Sequence, residues 1–118
     1  MDWTNWVIAG AVVAALVLAR RLSVIGMAKA RRLMSSGGSL VDVRTREEFA
    51  SDHIPGAINI PLNELPARIE REKPDKNQPL LLHCLSGGRS GLATRILRQK
   101  GYRQVYNLGS LRRARKIA

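Results

Sequence analysis

The chain has 118 residues, enough for one small domain and too few for two. Its single cysteine, Cys84, excludes an intrachain disulfide and a self-contained pair of redox thiols, and it suits a reducing compartment. The formal net charge is +11, and no acidic residue follows Asp75. Such a field favours anionic partners. Because no aromatic side chains are interleaved with the cations, as a base-stacking surface requires, no nucleic-acid partner is expected.

The first element in chain order is an apolar segment. From Trp6 to Ala19, fourteen successive residues have no polar side chain, and Trp3 and Arg20–Arg21 flank them. Interfacial tryptophans at one end and cations at the other predict an N-terminal transmembrane anchor over residues 1–22. The cations after it predict an N-terminus outside and a cytoplasmic domain, at a bacterial inner membrane. The alternatives are a buried core helix and a cleaved signal peptide, which would need a positive start.

A cationic amphipathic helix is predicted next, over residues 23–34, with Ser23 as its N-cap. Ser35–Gly38 would end it as a turn. Residues 23–38 therefore form a connecting segment, and residues 39–118 form the domain with a basic C-terminal tail.

The domain alternates short apolar runs with helical stretches. Strands are predicted over 40–43, 57–60, 80–83 and 104–107, and helices over 46–50, 63–71, 90–100 and 108–118. Thr45 and Asn63 are candidate helix N-caps, and Gly101 is the candidate residue just beyond a helix C-terminus. This alternation predicts an α/β fold with a parallel sheet of four to five short strands flanked by helices.

The segment after the third predicted strand carries the chemistry. Cys84 ends that strand, where parallel sheets bind their ligands. A glycine pair that can adopt positive φ would turn N–H groups of residues 86–90 towards the sulfur, and the following helix adds its positive end. We therefore predict a thiolate nucleophile at Cys84. The predicted substrate-binding residues are Ser86, Gly87, Gly88, Arg89 and Ser90. A buried, inert cysteine is the alternative.

Three further residues are predicted to support this site. Asp42 lies at the end of the first predicted strand, and its carboxylate can tie down the loops nearby or pair with Arg44. His83 directly precedes the nucleophile and can form a hydrogen bond outside the loop. A structural role is favoured for all three, and neither a metal nor a cofactor is expected.

Three segments resemble the single-domain rhodanese (sulfurtransferase) family. They are Leu40–Phe49, His53–Pro61 and the loop Cys84–Ser90, which matches the pattern Cys-x-x-Gly-x-Arg-Ser. The resemblance implies a rhodanese-like fold, here with a membrane anchor. It also implies that Cys84 takes a sulfane sulfur from thiosulfate or a related small anionic donor and passes it, from a persulfide, to cyanide or a thiol acceptor. A membrane protein is a candidate for that thiol acceptor.

Two other functions stay open. Cysteine phosphatases, including those on the same fold, use a Cys-x5-Arg loop, whereas Cys84 and Arg89 are separated by four residues. The shorter loop favours sulfur transfer over a phosphatase or an arsenate reductase. A non-catalytic interaction module at the membrane is the second alternative. The chain departs from the family at its end, where a frequent tryptophan is replaced by the cationic run 112–116, a candidate for contact with membrane lipid.

Overall fold

The computed structural model describes residues 2–22 and 24–118. Helix α1 spans Trp3–Leu22 and helix α2 spans Met27–Ser35. The predicted cap Ser23 lies outside the described residues. Helix α2 begins later than predicted, with Gly26 as its N-cap in extended conformation. Ala30 of α2 is fully buried, so this helix packs against the domain.

The predicted transmembrane anchor is not found at the N-terminus. Across residues 2–22 and 24–118, no helix has the length and apolarity needed to cross a bilayer. Helix α1 exposes its side chains from Trp3 to Leu18, including Trp6 at 69%.

A parallel sheet forms the centre of the domain. Its strands are β1 (Ser39–Asp42), β2 (Ile58–Asn59), β3 (Leu80–Cys84) and β4 (Val105–Ser110). All three pairings are parallel, and the strand order is β2-β1-β3-β4. The predicted α/β fold with a four-stranded parallel sheet is therefore confirmed. Strand β3 has a neighbour on each side, which explains why its five residues are all buried.

The described residues form four further helices. They are α3 (Arg46–Ser51), α4 (Leu65–Glu72), α5 (Gly88–Gln99) and α6 (Leu111–Arg115). Apolar side chains of α4 and α5 pack on one face of the sheet, together with those of Leu80, Leu82 and Cys84. Side chains of α2 and α6 pack on the other face, with that of Leu81. This division follows from the period of two along a strand.

The local signals at helix ends were partly correct. Thr45 forms the predicted cap, in a capping box with Glu48. Gly101 has φ +93°, and the Tyr102 N–H donates to the Leu97 carbonyl (3.1 Å), which completes a Schellman motif. The prediction for Asn63 was wrong, because α4 starts at Leu65 with proline in its first turn.

Helix α6 is shorter than the predicted 108–118. Strand β4 continues to Ser110, whose hydroxyl accepts a hydrogen bond from the Arg113 N–H (3.2 Å) and starts the helix there. The sheet pairing of β4 therefore takes the residues that periodicity alone assigned to the helix.

Candidate active site

Cys84 is the last residue of the central strand β3 and is 1% exposed. Its strand partner on β4 is Ser110. Helix α5 begins at Gly88, four positions after Cys84. The thiol therefore lies at the carboxyl edge of the sheet, below the positive end of a helix of 12 residues. The strand, loop and helix predicted around it are all present.

The loop brings backbone donors to the sulfur. The Gly87 N–H donates to Cys84 Sγ at 2.9 Å. Gly87 has φ +100°, a left-handed conformation that favours glycine, and it is the N-cap of α5. Gly88 does not share this conformation, contrary to the prediction, because it is already the first residue of the right-handed helix. One positive φ is enough to turn the chain around the sulfur.

Ser90 supplies a side-chain contact from the first turn of α5. Its fully buried hydroxyl lies 3.5 Å from Cys84 Sγ, 2.7 Å from Asn107 Oδ1 and 3.1 Å from the Gly87 carbonyl. The single hydroxyl proton cannot serve all three acceptors at once. When Cys84 is a thiol, its S–H can donate to Ser90. When it is a thiolate, the Ser90 proton can turn to the sulfur.

Asn107 is a buried site residue that the sequence analysis missed. Its side-chain amide donates to the Gly87 carbonyl (3.2 Å), and its oxygen accepts from the Gly109 N–H (2.9 Å). These two bonds set the orientation of the amide and tie the loop to β4. An asparagine two residues before a glycine in a strand was the available signal, but nothing local connects it to Cys84.

The surroundings of Cys84 favour the thiolate. Burial by itself raises the pKa of the thiol. The hydrogen bond from the Ser90 side chain opposes this, as do the backbone N–H groups of Ser90, Gly87 and Ser86, and together they bring the pKa below its ordinary value. A lowered pKa favours the thiolate, which is the reactive form of a cysteine, and so favours the predicted nucleophile over an inert core side chain.

Arg89 has a partner that the sequence analysis did not predict. Its Nη1 and Nη2 donate to the two carboxylate oxygens of Glu48 at 2.6 and 3.0 Å. This bidentate pair lies at the protein surface, with the Arg89 and Glu48 side chains 36% and 31% exposed. The hydrogen bond from Arg89 is the main reason that the pKa of Glu48 is lowered to about 2. The cation expected to bind the donor is therefore already paired.

The three predicted supporting residues come together, away from the thiol. Asp42 and His83 are opposite each other on β1 and β3, and alternation along β3 puts His83 on the face opposite Cys84. Arg44 Nε and Nη2 hold the buried Asp42 carboxylate at 2.8–3.1 Å. His83 Nε2 lies 3.4 Å from Asp42 Oδ2, and neither ring nitrogen has a hydrogen-bond partner among the described residues.

Comparison with known proteins supports the same class. A family model for the rhodanese-like domain matches residues 27–112. The chain belongs to the rhodanese-like domain family. It is 44% identical over 72 residues to thiosulfate sulfurtransferase PspE of Escherichia coli (strain K12), which covers 61% of this chain and 69% of that protein. It is 35% identical over 96 residues to human thiosulfate:glutathione sulfurtransferase, which covers 70% of this chain and 84% of that protein.

Two solved structures share the fold. A rhodanese with anions from E. coli has a TM-score of 0.62 at 42% identity, covering 64% of this chain and 89% of that one. The human single-domain sulfurtransferase TSTD1 has a TM-score of 0.66 at 33% identity, covering 81% of this chain and 97% of that one. These relatives confirm the predicted enzyme class, a rhodanese-type sulfurtransferase. They do not show membrane anchoring.

The contact between Ser90 and the nucleophile of this rhodanese-type enzyme can be tested by Ser90→Ala. The substitution removes a hydrogen bond to the thiolate, so the thiol pKa should rise. Alkylation of Cys84 by iodoacetamide, followed against pH, should have its midpoint at higher pH and be several-fold slower at neutral pH. Ser86→Ala keeps the backbone N–H and should leave the midpoint in place. An unchanged midpoint in Ser90→Ala would exclude the proposed hydrogen bond.

The Asp42–Arg44 pair should contribute to stability and not to the chemistry. Asp42→Asn leaves the Arg44 guanidinium buried without its counter-charge, which costs about 3–5 kcal/mol of unfolding free energy. Urea denaturation measures that loss. The matched control is Glu64→Gln, which breaks more exposed pairs and should cost less than about 1 kcal/mol. Equal losses in the two variants would contradict the role assigned to the buried pair.

Proposed function

We propose that the enzyme moves a sulfane sulfur from thiosulfate, or a related small anionic donor, through a Cys84 persulfide to a thiol or to cyanide. The observation that carries the proposal is the Gly87 N–H at 2.9 Å from a buried sulfur whose pKa is lowered. Two relatives, a thiosulfate sulfurtransferase and a thiosulfate:glutathione sulfurtransferase, support thiosulfate as the donor and a thiol as the acceptor.

The first half-reaction loads the cysteine. The Cys84 thiolate attacks the outer sulfur of thiosulfate, a new S–S bond forms, and the old S–S bond breaks. Sulfite leaves with the electron pair of the broken bond. In the persulfide the negative charge lies on the terminal sulfur, only one atom further out than in the thiolate. The N–H groups that stabilise the thiolate can therefore also stabilise this anion.

The second half-reaction unloads it. An acceptor thiolate, or cyanide, attacks the terminal sulfur, and the Cys84 thiolate leaves with the electrons of the persulfide bond. The lowered pKa makes the Cys84 thiolate a better leaving group, and it also increases the fraction of Cys84 that is ionised and able to attack the donor. With one cysteine in the chain, the acceptor must be a second molecule.

Phosphate-ester hydrolysis is less favoured by this site. The loop has four residues between Cys84 and Arg89, and the arginine fork that would bind phosphate oxygens is occupied by Glu48. A non-catalytic interaction module is also less favoured, because the thiol environment stabilises the reactive anion.

We also propose a cytoplasmic location for the domain at a bacterial inner membrane, a membrane protein as the acceptor, lipid contact by the basic tail and a division of the chain at residues 22 and 38. The roles of Ser86, Gly87, Gly88 and Ser90 in substrate binding are also part of the proposal.

Replacing Cys84 by Ser should abolish thiosulfate:cyanide sulfurtransferase activity, by about a thousandfold or more, because a hydroxyl cannot carry the sulfane sulfur. Mass spectrometry of the wild-type protein after thiosulfate exposure should show a gain of one sulfur atom on Cys84. Wild-type turnover in Cys84→Ser would contradict the mechanism. Hydrolysis of a phosphate ester without persulfide formation would indicate a phosphatase. The absence of both activities would indicate an interaction module.

A further inference from the structure

The ion pair between Arg89 and Glu48 joins the nucleophile loop to helix α3. The two residues are 41 positions apart in sequence, and both fork nitrogens of Arg89 are bonded to the carboxylate. Partial exposure of both side chains puts the pair at the surface of the loop, where an arriving substrate can meet it. Arg89 is the second residue of α5, and Gly87 and Ser90 on either side of it in the loop both contact the Cys84 sulfur, so the Arg89–Glu48 pair belongs to the surface around the thiol.

Glu48 is held in place independently of Arg89. Its Oε1 also accepts hydrogen bonds from the Thr45 N–H (3.2 Å) and the Thr45 hydroxyl (3.1 Å), as the third residue of the α3 capping box. A carboxylate anchored by its own helix cannot easily swing away when an anion approaches Arg89. The negative charge of Glu48 is therefore a permanent part of the surface beside the loop.

The charges beside the thiol decide which donors bind well. With Cys84 as thiolate, Arg89 and Glu48 cancel each other, and the three side chains carry a net charge of −1. Without Glu48 the same set would be neutral. A dianion such as thiosulfate is repelled about twice as strongly by the extra charge as a monoanion of similar shape, because Coulomb energy is proportional to charge.

We propose that Glu48 is a specificity-determining residue, which lowers the preference of the enzyme for dianionic donors relative to sulfane-sulfur donors of lower charge, such as thiosulfonates and organic persulfides. This inference rests on the proposed sulfurtransferase function. Among the sulfane-sulfur donors of that function, Glu48 would favour those that present a single negative charge, or none, to Arg89 over the dianion thiosulfate.

The test compares two donors in the wild-type enzyme and in Glu48→Gln. Thiosulfate is the dianion and benzenethiosulfonate is the monoanion, and both deliver a sulfane sulfur to Cys84. In Glu48→Gln, the ratio of kcat/KM for thiosulfate to kcat/KM for benzenethiosulfonate should rise about fivefold to tenfold over wild type, mainly through a lower KM for thiosulfate. The increase should shrink as salt is added.

Three further variants make the result specific. Glu64→Gln removes one negative charge from a carboxylate paired with Arg46 and Arg68 and not with the loop, and it should leave the donor ratio unchanged. In a background of Arg89→Gln, adding Glu48→Gln should still raise the ratio, because the carboxylate repels the dianion with or without its partner. Thr45→Ala removes the capping hydroxyl and its hydrogen bond to Glu48 but keeps the negative charge, so the donor ratio should stay at its wild-type value.

The outcomes separate this inference from the proposed function. If neither donor adds sulfur to wild-type Cys84, the sulfurtransfer proposal fails. If both donors load Cys84 and the ratio in Glu48→Gln equals that of wild type, or falls, the role of Glu48 in specificity is wrong. A ratio that rises equally in Thr45→Ala would assign the effect to the helix cap and would also overturn it.

Discussion

The hydrogen bond from the Gly87 N–H to the Cys84 sulfur depends on a backbone conformation that glycine adopts without strain. At φ +100° a side chain would be strained, and an added Cβ would lie 3.4 Å from the Gly109 Cα of β4. Asn107 joins the same two glycines through its amide. The loop around the sulfur is thus locked to the neighbouring strand, and the proposed reactivity of Cys84 depends on that packing.

The net charge of the whole chain does not describe the charge at the site. A net charge of +11 suggests an open positive site for anions. The structure instead pairs Arg89 with Glu48 on both fork nitrogens. Backbone N–H groups, which carry no net charge, are then the principal donors to the sulfur. Such donors can stabilise both the thiolate and the proposed persulfide anion without binding any large anion tightly.

The sheet separates structural from chemical roles. Adjacent residues of β3 point to opposite faces, so Cys84 is directed towards α5 while His83 is buried with Asp42. Arg44 also ties the loop after β1 to the end of α3, because its Nη2 donates to the carbonyl of Asp52, the C-cap of that helix (2.6 Å). The buried Asp42–Arg44 pair on one face of the sheet therefore supports the carboxyl edge where Cys84 lies on the other face.

The sequence by itself determined the features that depend on near neighbours. The buried run before Cys84, the glycine turn, the N-cap at Thr45 and the helix end at Gly101 were all predicted, because each involves residues within about five positions of one another. The tertiary structure alone decided the partners of the site. Asn107 and Glu48 reach the loop from 17 and 41 residues away, and only the sheet register and the packing of α3 bring them there.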